Sequence, residues 1–139
     1  LTGFYRACDE LGLEIPEEYV REGVYHDPDR CAELTQELLR LDMPPSCILM
    51  PDDFSAIGGG NAIRRMGLRI PEDLLLTGGD NIRLSEYCPV PITTFDQMAA
   101  QCAADCVDMM VSHLKGGTPL ESREIPTAPI WRASLPEEN

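Results

Sequence analysis

The stretch "PDDFSAIGGGNAIRRMGLRIPEDLLLTGGDN", residues 51–81, holds the reading that decides the fold. Just before it, "SCILM" (residues 46–50) is a short continuous apolar run, the pattern of a strand buried on both faces of a parallel sheet. Asp52 or Asp53 then caps a helix, because a carboxylate at that position accepts from the free amides of the first turn. The helix's apolar face is Phe54 or Ala56, Ile57, Ala62, Ile63 and Met66, and Gly67 closes it as the left-handed residue beyond the end. After Pro71, "LLLTGG" reads as a second buried strand whose glycines turn the chain into Asp80-Asn81. Strand, helix and strand in this order call for two parallel strands with the helix as crossover.

The glycine triplet 58–60 invites comparison with a phosphate loop. A dinucleotide fingerprint opens its helix with G-x-G-x-x-G and carries an acidic residue about 20 positions further on. Here the triplet lies well past the aspartate cap, so its amides belong to the helix. Gly58 is explained by close packing. Gly59 and Gly60 should each cost about 1 kcal/mol relative to alanine inside a helix, and tight approach at a dimer interface is the expectation for them.

Working outward, Leu1, Phe4, Cys8 and Leu11 keep helical spacing from the first residue with no cap before them, as in a chain cut from a longer protein in mid-helix. Gly12 stops that helix, Pro16 prevents its continuation, and "EYVREGVYH" (residues 18–26) is expected to be a strand with its exit loop. Asp27-Pro28 starts a second helix with buried stripe Cys31, Leu34, Leu38 and Leu41, ended by Pro44-Pro45. "ITTF" (residues 92–95) follows Pro89 and Pro91. A helix from about Asp96 to Leu114 comes next, with apolar Ala99, Cys102, Ala103, Cys106, Val107, Met110 and Leu114, stopped by Gly116-Gly117. The tail "REIPTAPIWRAS" (residues 123–134) reads as an interrupted or edge strand, since Pro126 and Pro129 cannot donate to a central ladder. The expected fold class is α/β: a mostly parallel sheet flanked by helices in three layers, α/β/α.

Composition narrows the function. The 139 residues are 43% hydrophobic, enough for one domain with a real core, and carry a net charge of −13, which repels rather than gathers a phosphate backbone. The six cysteines form no CxxC pair, and Cys31, Cys47, Cys102 and Cys106 sit among apolar neighbours, as in a reducing cytoplasm. Cys102 and Cys106 share a helix face, yet His26 and His113 have no companion at ligand spacing, so no metal site is expected. Neither a run of about 18 apolar residues nor a basic stretch followed by an apolar one is present, so no membrane span or signal peptide is expected.

Ligands of open α/β sheets settle outside the carboxyl ends of the strands. Standing there are Tyr25 and His26, Asp52 and Asp53, Asp80 and Asn81, and Gln97. One aromatic face with several acceptors and two amides suits hydroxyl-rich or amine-bearing small molecules and is poor for anions. No G-x-S-x-G elbow or histidine-paired nucleophile is present, so a catalytic role is not expected.

The order of residues from Ser46 to Gln97 resembles LacI/GalR-type transcriptional regulators. In that family an Asn-Asp pair, a short Ala-x-Gly helix, "GLxVPxD", a buried strand and "GxDD/N" follow one another. "EYCPVPITTFDQ" is similar to that family's "P-x-L-T-T" followed by Gln, and "LTGFYRACDELG" to its "GF…AL…G" helix. The resemblance implies a fold of the periplasmic-binding-protein-like type I, with two α/β lobes around a cleft. Residues 1–94 would be the second lobe of the effector-binding domain, 95–120 the crossing segment and a helix that packs on the first lobe, and 121–139 the final strand and tail. On this resemblance Asp80 matches an aspartate that binds effector hydroxyls or amines, and Asp52 replaces the frequent asparagine of the Asn-Asp pair. Tyr25 matches an aromatic that stacks on effector, and Gln97 a polar residue at the lobe crossing.

What the resemblance implies is a cytoplasmic repressor, homodimeric through this lobe, with no cofactor and no membrane partner. Its small-molecule effector would be a sugar or related metabolite. Operator DNA would be contacted only through a helix-turn-helix outside this chain. The alternative on the same fold is a sugar-binding protein of a transporter, which the scattered cysteines disfavour.

Overall fold

The computed structural model describes residues 2–116 and 119–137. The readings that involve Leu1 and Gly117 lie outside them. In chain order the elements are α1 (Thr2–Leu11), a 3-10 turn (Glu17–Tyr19), α2 (Pro28–Leu39), β1 (Cys47–Leu49) and α3 (Asp53–Arg65). Then come β2 (Leu75–Thr77), a second 3-10 turn (Arg83–Glu86), β3 (Thr94–Asp96), α4 (Ala99–Leu114) and β4 (Ala128–Ile130).

β1 and β2 pair in parallel, Ile48 opposite Leu76, with α3 as the crossover. A parallel bridge joins Thr77 to Thr93, and β3 pairs antiparallel with β4, Phe95 opposite Pro129. Ser134, fully buried, stitches the junction: its hydroxyl donates to the Leu76 carbonyl (2.6 Å) and accepts from the Thr93 amide (2.8 Å). The α/β class with a parallel sheet is thus present, and Pro129 lies in an edge strand as its missing amide requires.

Both long-range helices fold as their caps dictate. Asp27 accepts from the Arg30 amide (2.9 Å) with Pro28 in the first turn, and Asp52 accepts from the Ser55 amide (2.8 Å). Leu38 of α2 and Ala56 and Ile63 of α3 meet Ile48, Met50, Leu74, Leu76 and Ile92 in one core. Each glycine of the triplet stands in close contact with other parts of the chain. A Cβ on Gly58 would strike the backbone of Pro28, where α2 and α3 touch. One on Gly59 would strike Met50 Cε and stand 2.9 Å from Thr35 Oγ1, and one on Gly60 would stand 3.3 Å from Leu76 Cδ2.

Several expectations are corrected. No strand forms over residues 18–26: Glu17–Tyr19 wind into a 3-10 turn, and the Tyr19 and Val20 amides donate to the Pro16 (2.9 Å) and Glu17 (3.0 Å) carbonyls rather than to a neighbouring strand. α2 ends at Leu39, short of Pro44, because Leu39 and Leu41 both pack on the core and residues two apart cannot share a helix face. β1 is buried on one face only: Ile48 is covered by the helices, while Leu49 is 51% exposed. Of α1 only Cys8 is buried, and α4 buries none of its residues, leaving Val107, Met110 and Leu114 exposed.

Candidate functional site

Aspartates shape the passages out of β1 and β2 at one end of the sheet. Asp52 is fully enclosed. Its Oδ1 accepts from the Ser55 amide, and its Oδ2 from the Ser55 hydroxyl (2.7 Å) and the His26 amide (3.1 Å). Desolvation by burial pushes this carboxyl upward, but the Ser55 and His26 hydrogen bonds outweigh it and hold the group below its ordinary value. Asp52 therefore does not face the outside as an effector ligand. Both oxygens are occupied, and its reach beyond the cap goes through the His26 backbone.

Asp53 performs a parallel task. Its amide donates to the Gly79 carbonyl (2.8 Å), and its carboxylate accepts from the Ile82 amide (2.9 Å) and the Thr94 hydroxyl (2.7 Å). This seats the start of α3 directly on the end of β2, which is why glycines stand there. A Cβ on Gly78 would strike Asp53 Oδ1, and one on Gly79 would lie 3.0 Å from the Pro51 carbonyl.

Asp80 is the group left facing outward. Its Oδ2 accepts from the Tyr25 hydroxyl (2.9 Å) with His26 Nε2 3.4 Å away, and its Oδ1 accepts from the Gln97 side-chain amide (3.0 Å). Three of the four residues expected at the site, Tyr25, Asp80 and Gln97, thus converge on one carboxylate, and the fourth, Asp52, stands behind it. The bond to Asp80 raises the Tyr25 hydroxyl above its ordinary pKa, helped by desolvation and the negative charge of Asp80. Tyr25 is 54% exposed; its ring lies 4.1 Å from that of His26, which meets Phe54 edge-on at 5.6 Å. The result is an aromatic wall beside an anionic acceptor. With one donor on Oδ1, a lone pair there is open to a ligand hydroxyl or amine.

Backbone strain gathers at the same place. His26 (φ 61°), Asp80 (φ 89°) and Asn81 (φ 51°) all occupy the left-handed region that non-glycine residues avoid, at a cost of order 1–3 kcal/mol each. Such strain persists where surrounding bonds over-determine it. His26 stands beside Tyr25 as the sequence placed it, while Phe54, read there only as part of a helix face, adds an aromatic edge to the site. Arg132 was legible merely as part of an edge strand. It proves to be 11% exposed, with its guanidinium committed inward to the Asn81 side chain (2.7 Å). Among the described residues no three His, Cys, Asp or Glu side chains gather as a metal would require, and no helix is long and apolar enough to cross a membrane.

The acceptor carboxylate and the aromatic rings stand at the ends of parallel strands, where open α/β sheets hold their ligands. Comparison with known proteins shows the family. Residues 1–135 match the family described as "Periplasmic binding protein-like domain". Among curated proteins, the chain is 33% identical over 112 residues to the HTH-type transcriptional repressor PurR of Pasteurella multocida, covering 81% of this chain and 33% of the repressor. A regulatory protein of the LacI family from Chloroflexus aggregans superposes with a TM-score of 0.87 at 28% identity, over 96% of this chain and 48% of that one. A sugar-binding transcriptional regulator of the LacI family from Escherichia coli, complexed with phosphate, shares the fold with a TM-score of 0.88 at 22% identity, over 96% and 48%. The chain belongs to the periplasmic-binding-protein-like domain family, in the form carried by LacI-family transcriptional repressors. It spans about a third of the length of the curated repressors it matches.

Proposed function

We propose that this chain is the effector-sensing part of a cytoplasmic LacI-type repressor that binds a small metabolite, a sugar, at Asp80 and thereby controls operator binding by a helix-turn-helix elsewhere in the protein. The observation that carries the reading is the Asp80 carboxylate, held outward in a strained turn between Tyr25 and Gln97. Carboxylate plus aromatic face is the pairing that hydroxyls and an apolar sugar face require. A sugar-binding relative of the same fold supports the same class. Asp80 accepts from the sugar, Tyr25 covers its apolar face, Gln97 contributes from the crossing, and Asp52 acts from behind by fixing His26.

Residues 1–94 are taken as the second lobe, 95–120 as crossing segment and helix, and 121–139 as final strand and tail; the exposed Val107, Met110 and Leu114 of α4 suit a helix that packs on a further lobe. Dimerisation is assigned to the face where an apolar groove of about 210 Å3 runs between α3 (Ile57, Gly60) and the loop bearing Leu84, Tyr87 and Val90. Sugar binding shifts operator affinity only to the extent that it prefers one lobe arrangement over another. The test is a thermal-shift screen of mono- and disaccharides on the full-length protein and on Asp80→Ala. A hit that stabilises the parent and not the variant supports the reading; a hit that stabilises both equally removes Asp80 from it.

A further inference from the structure

Arg132 lies just beyond β4, far in sequence from the candidate site, yet it makes more side-chain hydrogen bonds than a surface arginine needs. Nη1 donates to the Ile92 carbonyl (2.9 Å) and the Ser85 hydroxyl (3.0 Å); Nη2 donates to Asn81 Oδ1 (2.7 Å) and to Glu86 (3.2 Å). The Arg132 amide donates to the Thr93 hydroxyl (2.8 Å), so the backbone that carries the guanidinium is itself anchored. A planar guanidinium offers its donors in a rigid fork, so one acceptor held at one prong fixes the direction of the others.

Asn81 sits at the other end of the shortest of these bonds. It is also held by the Thr94 hydroxyl at its amide (3.2 Å) and donates from its side chain to Asp96 (3.2 Å). Its left-handed φ of 51° and that of Asp80 before it, 89°, decide where the Asp80 side chain points. Asp and Asn tolerate that region better than other non-glycine residues, yet two in succession still carry strain, and the bonds that grip Asn81 hold the turn in place.

We propose that Arg132 is a positioning residue of this site: through Asn81 it holds the 80–81 turn left-handed and so aims the Asp80 carboxylate between Tyr25 and Gln97. Its consequence for effector affinity rests on the reading that Asp80 is the effector's acceptor; the positioning itself does not. Arg132 acts on Asp80 through Asn81.

The test uses the full chain and needs no ligand. The Gln97 side-chain amide donates to Asp80 Oδ1, so its nitrogen and proton resonances report where that carboxylate points. Asp80→Ala supplies the resonance position of the released amide. Arg132→Gln and Asn81→Ala are each expected to move the Gln97 amide to that released position, and the double variant to move it no further. Asn81→Ala removes the acceptor without glycine's own freedom in the left-handed region and keeps Arg132 bonded to Ile92, Ser85 and Glu86, so it decides alone where Arg132→Gln does not fold. A Gln97 amide that stays at its parental position in folded Asn81→Ala overturns the proposal. A sugar screen without hits, beside a Gln97 amide that moves, overturns the effector reading and leaves the positioning intact.

Discussion

Replacing Gly58 by alanine separates two opposed effects that the structure makes unequal. Inside a helix the exchange is worth about 1 kcal/mol in favour of alanine. Against it, the new Cβ would overlap the Pro28 carbonyl oxygen and lie 2.6 Å from its carbon and 2.7 Å from the Pro28 Cα. All three are backbone atoms in the first turn of α2, so relief requires the helices to part, at the cost of about 1–3 kcal/mol that overpacking of a core brings, and sometimes more. The net expectation is destabilisation of up to about 2 kcal/mol, a fall in Tm of up to roughly 10 °C for a domain of this size. Gly60→Ala is the internal control. Its nearest neighbours are the side-chain ends Leu76 Cδ2 (3.3 Å) and Ile70 Cδ1 (3.8 Å), which can shift by a few tenths of an ångström, so propensity prevails and the variant should match or exceed the parent. Thermal unfolding followed by circular dichroism reads both. If Gly58→Ala is as stable as Gly60→Ala, the account of the triplet as the contact between α2 and α3 is wrong.

Asp52→Ala removes a cap and strands the buried Ser55 hydroxyl and the His26 amide, so urea unfolding should show a loss of about 2–3 kcal/mol. Because the folded Asp52 carboxyl titrates below its ordinary value of 3.8, its charge-dependent stabilisation is complete above that value and disappears as pH falls beneath it. The stability gap between parent and Asp52→Ala should therefore narrow on acidification through the carboxylate range, and a gap that widens contradicts the hydrogen-bond pattern drawn for this group. Tyr25, raised above 10.0 chiefly by its bond to Asp80, should ionise at lower pH in Asp80→Asn, measured by ultraviolet difference titration; an unmoved midpoint would mean that the two side chains are not bonded in solution.

The crossover unit was legible because its signals are local and redundant. The cap at Asp52, the stop at Gly67 and the two apolar runs each point to strand, helix and strand, and the structure has all three. The expected strand at 18–26 failed because nothing in its apolar spacing reveals that the chain enters it through a 3-10 turn, with the Tyr19 and Val20 amides bonded to Pro16 and Glu17. Tyr25, Asp80 and Gln97 could be gathered in advance, since each follows a predicted strand and such ends converge in an open sheet. The different fates of Asp52 and Asp80 could not. Both follow strands and both are acidic, but Ser55 three residues on closes over Asp52, while the left-handed turn at Asp80 throws its carboxylate outward. Arg132 escaped notice for a similar reason: its partners lie about 40 to 51 residues away, and no spacing rule reaches that far.

The central functional claim is that the outward carboxylate of Asp80 receives the effector. Calorimetric titration of the full-length protein with the sugar selected by the shift screen, repeated on Asp80→Asn, tests it most directly. A hydrogen bond to a charged acceptor contributes about 1.5–3 kcal/mol, so affinity should fall roughly 10- to 150-fold while the fold stays intact. An unchanged Kd in a folded Asp80→Asn would contradict the account.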